Sequence, residues 1–215
     1  SRSVKVYGRH LMVHDLHHVP ARVHGKGPVL CAWHPRGSLL ASVGMSRVVH
    51  LFTPDGKLLR EVVAPGANRA LALGWSCASE KLAILQASPS GHALICIFHL
   101  RDQQRREVID LKGVRELRDP TYMKWSLTDS ELLAIGTGKG VVYIHHVQNN
   151  SQEAIIHPVG GAGRVLWMQW METRDVLSVA YEGDRTIRFY DLGTFGDGRC
   201  VVSIPCKHRP ISMRI

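Results

Sequence analysis

Apolar residues recur along this chain in short runs of period near two, and the same order of runs returns four times. GPVLCAW, ALALGW, TYMKW and RVLWMQW each end in tryptophan, at Trp33, Trp75, Trp125 and Trp170. A polar turn follows each, then a second run: SLLASVG, KLAILQA, ELLAIGT and DVLSVAY. After another turn comes a third: RVVHLF, ALICIFHL, GVVYIHHV and RTIRFYDL. A fourth is visible in most units, as GKLLREVVA after Pro54-Asp55-Gly56 and as RREVIDL. Short runs rich in Val, Ile and Leu between turn residues predict strands. No stretch carries a sustained helical stripe. The best helical candidate, 101–118, is interrupted by Gly113 and stops at Asp119-Pro120, so it reads as a solvated loop.

The four tryptophans are separated by 42, 50 and 45 residues. Four strands in a unit of that length match the arithmetic of a β-propeller blade. A single four-stranded blade cannot bury both of its faces, so blades stack around an axis and share apolar surfaces. The expected fold is therefore all-β, with blades near 24–65, 66–117, 118–156 and 157–206. KHRPISMRI, at 207–215, reads as the first strand of a fifth blade, and 1–23 as a strand segment of a closing or preceding one. About four blades plus part of a fifth predict a fragment of a larger propeller. The chain opens on SRSVKVYGRH, without an initiator Met or a secretory leader, which fits a piece of a longer polypeptide.

The fourth unit carries a family signature. EGDRTIRFYDL resembles the blade ending of the WD-repeat family, with Tyr190-Asp191 where Trp-Asp usually stands. Asp184 matches the aspartate that holds the tight turn between the second and third strands. The family's Gly-His element is partly matched by VHGKGPVLCAW, IHPVGGAGRVLWMQW and KHRPISMRI, which place His24, His157 and His208 as blade-linking hydrogen-bonders. The other units lack the terminal Trp-Asp, so the repeats are degenerate. Trp33, Trp75, Trp125 and Trp170 are expected to be structural blade positions.

Finer details are similar to the N-terminal propeller of a WD-repeat subunit of intraflagellar transport complex A. They lie in LCAWHPRGSLLASVGMSRVVHLFTPDGKLLREVVAPG, in KWSLTDSELLAIGTGKGVVYIHHV and in CKHRPISMRI. The resemblance implies a non-catalytic scaffold that binds the other subunits of a transport complex and protein cargo. It also implies retrograde ciliary transport, entry of membrane proteins into the cilium, and a place in the cytoplasm and in the cilium or flagellum, including its base. A WD-repeat scaffold outside cilia, such as a ubiquitin-ligase adaptor or a vesicle-coat subunit, remains an alternative, and so does a nucleic-acid-binding propeller.

Composition narrows these readings. Of 215 residues, 45% are hydrophobic, which is enough for a sizeable core. No apolar run approaches the ~18 residues of a membrane-spanning helix. The formal charge of +9 suggests a nucleic-acid partner at first sight. Yet residues 1–26 and 199–215 each carry a net +4, which leaves the body nearly neutral. The five cysteines include no close Cys-x-x-Cys pair, and Cys31, Cys77 and Cys96 sit in apolar runs as small hydrophobes. That pattern predicts a reducing, intracellular setting.

Sites of chemistry are hard to find. GTGKG, from Gly136 to Gly140, lacks the Ser or Thr of a phosphate loop and precedes a strand, so it predicts a hairpin turn. His14, His17 and His18, and the adjacent His145 and His146, suggest a metal. Neighbours on a strand point to opposite faces, however, and no carboxylate or Cys lies at ligand spacing. No Gly-x-Ser-x-Gly elbow marks a nucleophile. Catalytic, cofactor and metal sites are thus each expected to be none. Trp167, three residues before Trp170, is expected to face away from it and to serve as an exposed partner contact.

Overall fold

The structure is a computed structural model that describes residues 4–7, 15–19, 21–102, 105–160, 163–172, 174–193 and 198–207. The alternating runs form four antiparallel sheets, each built from four strands consecutive in sequence. Blade 1 comprises β3 (Leu30–Trp33), β4 (Leu40–Val43), β5 (Val48–Phe52) and β6 (Leu58–Val63). Blade 2 comprises β7 (Ala70–Trp75), β8 (Lys81–Ala87), β9 (Ala93–His99) and β10 (Arg106–Asp110). Blade 3 comprises β11 (Pro120–Trp125), β12 (Leu132–Thr137), β13 (Val142–His146) and β14 (Ser151–Ile156). Blade 4 comprises β15 (Val165–Trp170), β16 (Val176–Tyr181), β17 (Thr186–Asp191) and β18 (Arg199–Pro205). Ahead of them, β1 (Val4–Tyr7) and β2 (Asp15–Val19) pair in a sheet of their own, and α1 is a single turn, Ala21–His24. The segment expected to begin a fifth blade lies, from 208 on, outside the described residues.

The inner strands β3, β7, β11 and β15 pack side by side in that order, which sets the blades around a common axis. Burial follows distance from that axis. Second strands are the most buried: β8, covered by blade 1 on one face and blade 3 on the other, is buried at all but its ends, and β16 is buried at every position. This explains why their sequences are almost continuously apolar. Outer strands are largely exposed, as in β6 and β10. Three apolar clusters fill the blade interfaces: one between blades 1 and 2, one between 2 and 3, one between 3 and 4.

Within 101–118, the run RREVIDL forms a strand as its pattern predicts, while the rest is more ordered than the solvated loop expected there. Arg106–Asp110 is the edge strand β10, and Leu111 and Leu117 are buried in the cluster between blades 2 and 3. The charged residues of β10 face outwards on the edge of the sheet. GTGKG forms the hairpin turn between β12 and β13: Gly140 takes φ +79° and donates to the Thr137 carbonyl at 3.1 Å. The Thr137 hydroxyl closes the turn by accepting from the Val141 amide at 3.1 Å.

Gly136, at the end of β12, lies against blade 4. A Cβ there would sit 2.6 Å from Cγ1 of Val165 on β15. Val165 is buried and β-branched, with little freedom to retreat. Gly136→Ala is therefore expected to cost about 1–3 kcal/mol by overpacking, read as a lower urea midpoint at unchanged slope.

Candidate interaction surface and the joints between blades

The tryptophan that ends each inner strand is the organising residue. In blades 2 to 4 its indole N–H reaches across the interface to a backbone carbonyl of the preceding inner strand. Trp75 Nε1 donates to Ala32 O at 3.0 Å, Trp125 Nε1 to Gly74 O at 3.0 Å, and Trp170 Nε1 to Lys124 O at 3.2 Å. The acceptor is in every case the residue just before the tryptophan of the earlier blade. One residue type at one register position thus joins the blades in series. The sequence did contain a signal for this: a Leu follows each Trp by seven or eight positions.

Strand register explains the rest of the joint. Behind each tryptophan, the facing residues across the blade repeat one pattern. It runs Trp33, Leu40, Phe52 in blade 1 and Trp75, Leu82, Phe98 in blade 2. It continues as Trp125, Leu133, His145 and as Trp170, Leu177, Tyr190. In blades 2 and 4 the whole row, and in blade 3 Trp125 and Leu133, press on the preceding blade as members of the interface clusters. The row that receives the tryptophan has a small residue on its second strand: Ala41, Ala83 and Ala134. A bulkier side chain there would push the indole off its carbonyl.

His145 stands where the other blades place Phe or Tyr. It is 1% exposed, stacks on Tyr143 at 6.0 Å, and neither ring nitrogen finds a partner among the described residues. Burial, with the neighbouring His146 second, holds its pKa below the usual value, while Glu153 pulls weakly upward. Its neighbour His146 faces the other way and accepts from the Asn149 amide through Nδ1.

Polar bonds tie the same interfaces beyond the tryptophans. His34 Nε2 donates to the Ser79 carbonyl at 2.9 Å between blades 1 and 2. Lys81 meets both carboxylate oxygens of Glu131 at 2.5 and 2.6 Å between blades 2 and 3. The Thr128 hydroxyl donates to Asp175 at 2.7 Å between blades 3 and 4.

The remaining residues singled out from sequence take varied places. Asp184 accepts from the Thr186 amide at 3.0 Å in the turn after β16 and pairs with Arg188 at 2.8 Å. Tyr190 is buried with its hydroxyl 3.2 Å from that of Tyr181, and burial first, then this bond, drives the Tyr181 pKa upward. Asp191 accepts from the Gly193 amide at 3.0 Å. His24 is buried and meets the Ser42 hydroxyl at 3.1 Å, whereas His157 is exposed and His208 lies outside the described residues. Of the proposed metal cluster, His14 also lies outside them, and no group of three or more His, Cys, Asp or Glu able to hold a metal occurs among the described residues.

Two placements correct the sequence reading. Trp167 is not an exposed contact: it is buried, 7% exposed. It does point to the face opposite Trp170. There its row continues through Ala180 and Ile187, an apolar patch of the sheet on which a flat indole can lie against a small neighbour. Cys31, expected as a core hydrophobe, is exposed, while Cys96 is buried. Cys31 lies on the flank of blade 1 that turns away from blade 2, and so does Trp33, which is 43% exposed.

A groove of about 810 Å³ runs along the axial wall of β3, β7 and β11, lined by apolar residues such as Leu30, Leu73 and Tyr122 and by one buried-stemmed cation, Lys124. Desolvation lowers the pKa of that amine. The lining also holds Cys77, Ser126 and Glu172. What the arrangement offers chemically is surface: a rigid wall, rim loops and outer-strand side chains such as Leu59 and Val108, both about half exposed.

A family model described as "WDR19 first beta-propeller" matches residues 29–159. Comparison with curated proteins finds no match. Among solved structures, a chain of one described as "Crystal Structure of Mitotic Checkpoint Complex" is similar, with a TM-score of 0.64 and 14% identity. The likeness covers 84% of this chain and 55% of that one, so this chain spans about half the length of its structural neighbour.

Two substitutions test these joints. Trp125→Phe keeps most of the packing but leaves the Gly74 carbonyl unpaired, and should cost about 1–2 kcal/mol. Trp125→Ala should cost about 3–5 kcal/mol. His145→Phe should instead stabilise the chain by about 1–3 kcal/mol, because two unpaired ring nitrogens leave the core. Since the native His145 pKa lies below its unfolded value of 6.5, the native state takes up its proton later than the unfolded state does. Stability is therefore full above that pH and is lost as pH falls from it towards the native value. His145→Phe should flatten part of this acid loss in thermal melts taken across that window.

Proposed function

The chain belongs to the WDR19 first beta-propeller family, and from that premise we propose that it is a non-catalytic protein-interaction scaffold of intraflagellar transport complex A. The observation that carries this reading is the family match over 29–159, which spans blades 1 to 3. The repeated tryptophan joints support it, because they make a stiff platform on which rim loops and outer strands are held in fixed relation. A stiff platform loses little entropy when it binds, so its contacts with several partners can add. In this reading the partners are the other subunits of the complex and protein cargo, the process is retrograde ciliary transport with membrane-protein entry, and the place is the cytoplasm and the cilium or flagellum, including its base. Residues 24–206 act as the four-bladed platform, with 1–23 and 207–215 contributing strands to adjoining blades. The near-neutral body fits a protein partner better than a nucleic acid, whose binding rests on phosphate neutralisation.

Affinity capture of the protein from ciliated or flagellated cells, read by mass spectrometry, tests the assignment. Complex A subunits are expected at near-equal amounts. Recovery of ubiquitin-ligase or vesicle-coat subunits in their place would refute the ciliary role and leave the scaffold.

A further inference from the structure

Each blade ends in an outer strand whose far edge meets no other strand among the described residues: β6, β10, β14 and β18. An open edge is a template for pairing with another chain, and a bulge is one common way to spoil it. β6, β14 and β18 each shift register against the third strand of their blade. β10 instead pairs with β9 in unbroken register from Arg106 to Asp110. Its two ends give the phase of the edge. The His99 amide donates to Arg105 O at 3.4 Å, and the Leu111 amide to Ala93 O at 3.1 Å. In an antiparallel pair alternate residues bond the partner strand, so Arg105, Glu107, Ile109 and Leu111 are taken up by β9. The N–H and C=O of Arg106, Val108 and Asp110 therefore point to the open edge. The side chains of these three share one face of the sheet. All three residues are exposed, Val108 to 53%.

We propose that β10 is a self-pairing edge: two copies of this chain join antiparallel about a two-fold axis through Val108, and their second blades become one eight-stranded sheet. About that axis Val108 meets Val108 of the second copy, and Arg106 of each copy meets Asp110 of the other. Each of these pairs has its backbone groups in phase to exchange N–H···O bonds. Opposite charges at facing positions support a strand pair, and like charges oppose it. An apolar strand would leave both charges of the edge unanswered, and an acidic or a basic one would answer only one. A copy of β10 answers both. On the other face Glu107 is held by His99 and Arg105, each at 2.9 Å, and Ile109 is buried, so pairing disturbs neither. The same operation fails at β6. A two-fold through Glu61 sets like charges face to face, and one through Val62 sets Arg60 against Ala64 and Glu61 against Val63. The contact at β10 is isologous and belongs to the low size class of interfaces, so it is weak alone and gains where copies are held side by side.

Sedimentation of the purified protein over a range of concentrations tests the pairing. The mass should rise from that of one chain towards twice that value and stop there, because a two-fold contact closes on itself. Arg106→Asp and Asp110→Arg should each weaken the association about ten-fold, by setting like charges opposite one another. The double variant carries the charges in exchanged places and should regain the parent's association to within about three-fold. A merely structural role of either residue would give no such rescue. Val108→Cys should form a disulfide-linked dimer under mild oxidation that the parent, with its five cysteines, does not form. Facing residues of a bonded antiparallel pair have Cα atoms about 5.5 Å apart, which a disulfide spans. Val108→Pro removes an N–H that the blade's own ladder does not use, so it should abolish pairing and leave the melting temperature near that of the parent. A mass independent of concentration would overturn the proposal. So would a dimer that ignores the charge reversals, or assembly that continues past two copies, since either places the contact elsewhere. Capture from cells of a different polypeptide that Val108→Pro releases, without self-association, would overturn it too, by giving the edge to a foreign strand. Sedimentation involves no other subunit of complex A, so the pairing and that assignment stand or fall separately.

Discussion

An indole N–H donated to a backbone carbonyl of the preceding inner strand is the constraint on which the rest of this molecule depends. A carbonyl is fixed by its strand, and a strand-end tryptophan has few rotamers, so the bond sets both the height and the angle at which two blades meet. Once those are set, the leucine and the ring behind the tryptophan fall against the neighbouring sheet, and the facing position must be small. Ala41, Ala83 and Ala134 meet that requirement. The hydrogen bond is worth only about 1 kcal/mol by itself. Its larger contribution is to select one packing among the several that four greasy sheets could adopt.

The joints tolerate variation where the constraint is weak. Behind the leucine the ring is Phe52, Phe98, His145 or Tyr190, four answers to one space. The polar ties beside the joints differ still more: a histidine to a carbonyl, a lysine to a carboxylate, a threonine to an aspartate. This explains how repeats can lose their family dipeptide and keep their fold. The Trp-Asp signature survives only as Tyr190-Asp191, while a tryptophan at the end of the inner strand persists in all four blades.

Strand existence and order were legible because period two with turn residues between is a local property, and the tryptophan spacing exposed the repeat. Membership of a WD-repeat propeller family followed from the same segments and agrees with the WDR19 first beta-propeller match over 29–159. Which face of a strand is covered was not legible, because alternation says that faces differ and not what lies against each. Trp167 and Cys31 failed for that reason in opposite directions: one is buried on a face expected to be open, the other exposed on a face expected to be closed. The edge strand Arg106–Asp110 was legible in RREVIDL despite its charges, which an edge position accommodates in solvent; the buried Leu117 in the stretch read as loop was not. His145 read as one of a pair of ordinary histidines, since nothing local marks it as the ring of a packing row.

Each blade closes its own sheet from consecutive strands and touches only its neighbours, which makes the array a nearest-neighbour system in the sense of a linear Ising chain. Blades 2 and 3 share two joints each, whereas blades 1 and 4 share one among the described residues. Cooperativity is therefore set joint by joint: within the described blades, loss of one joint frees two neighbours from each other and leaves every other joint intact.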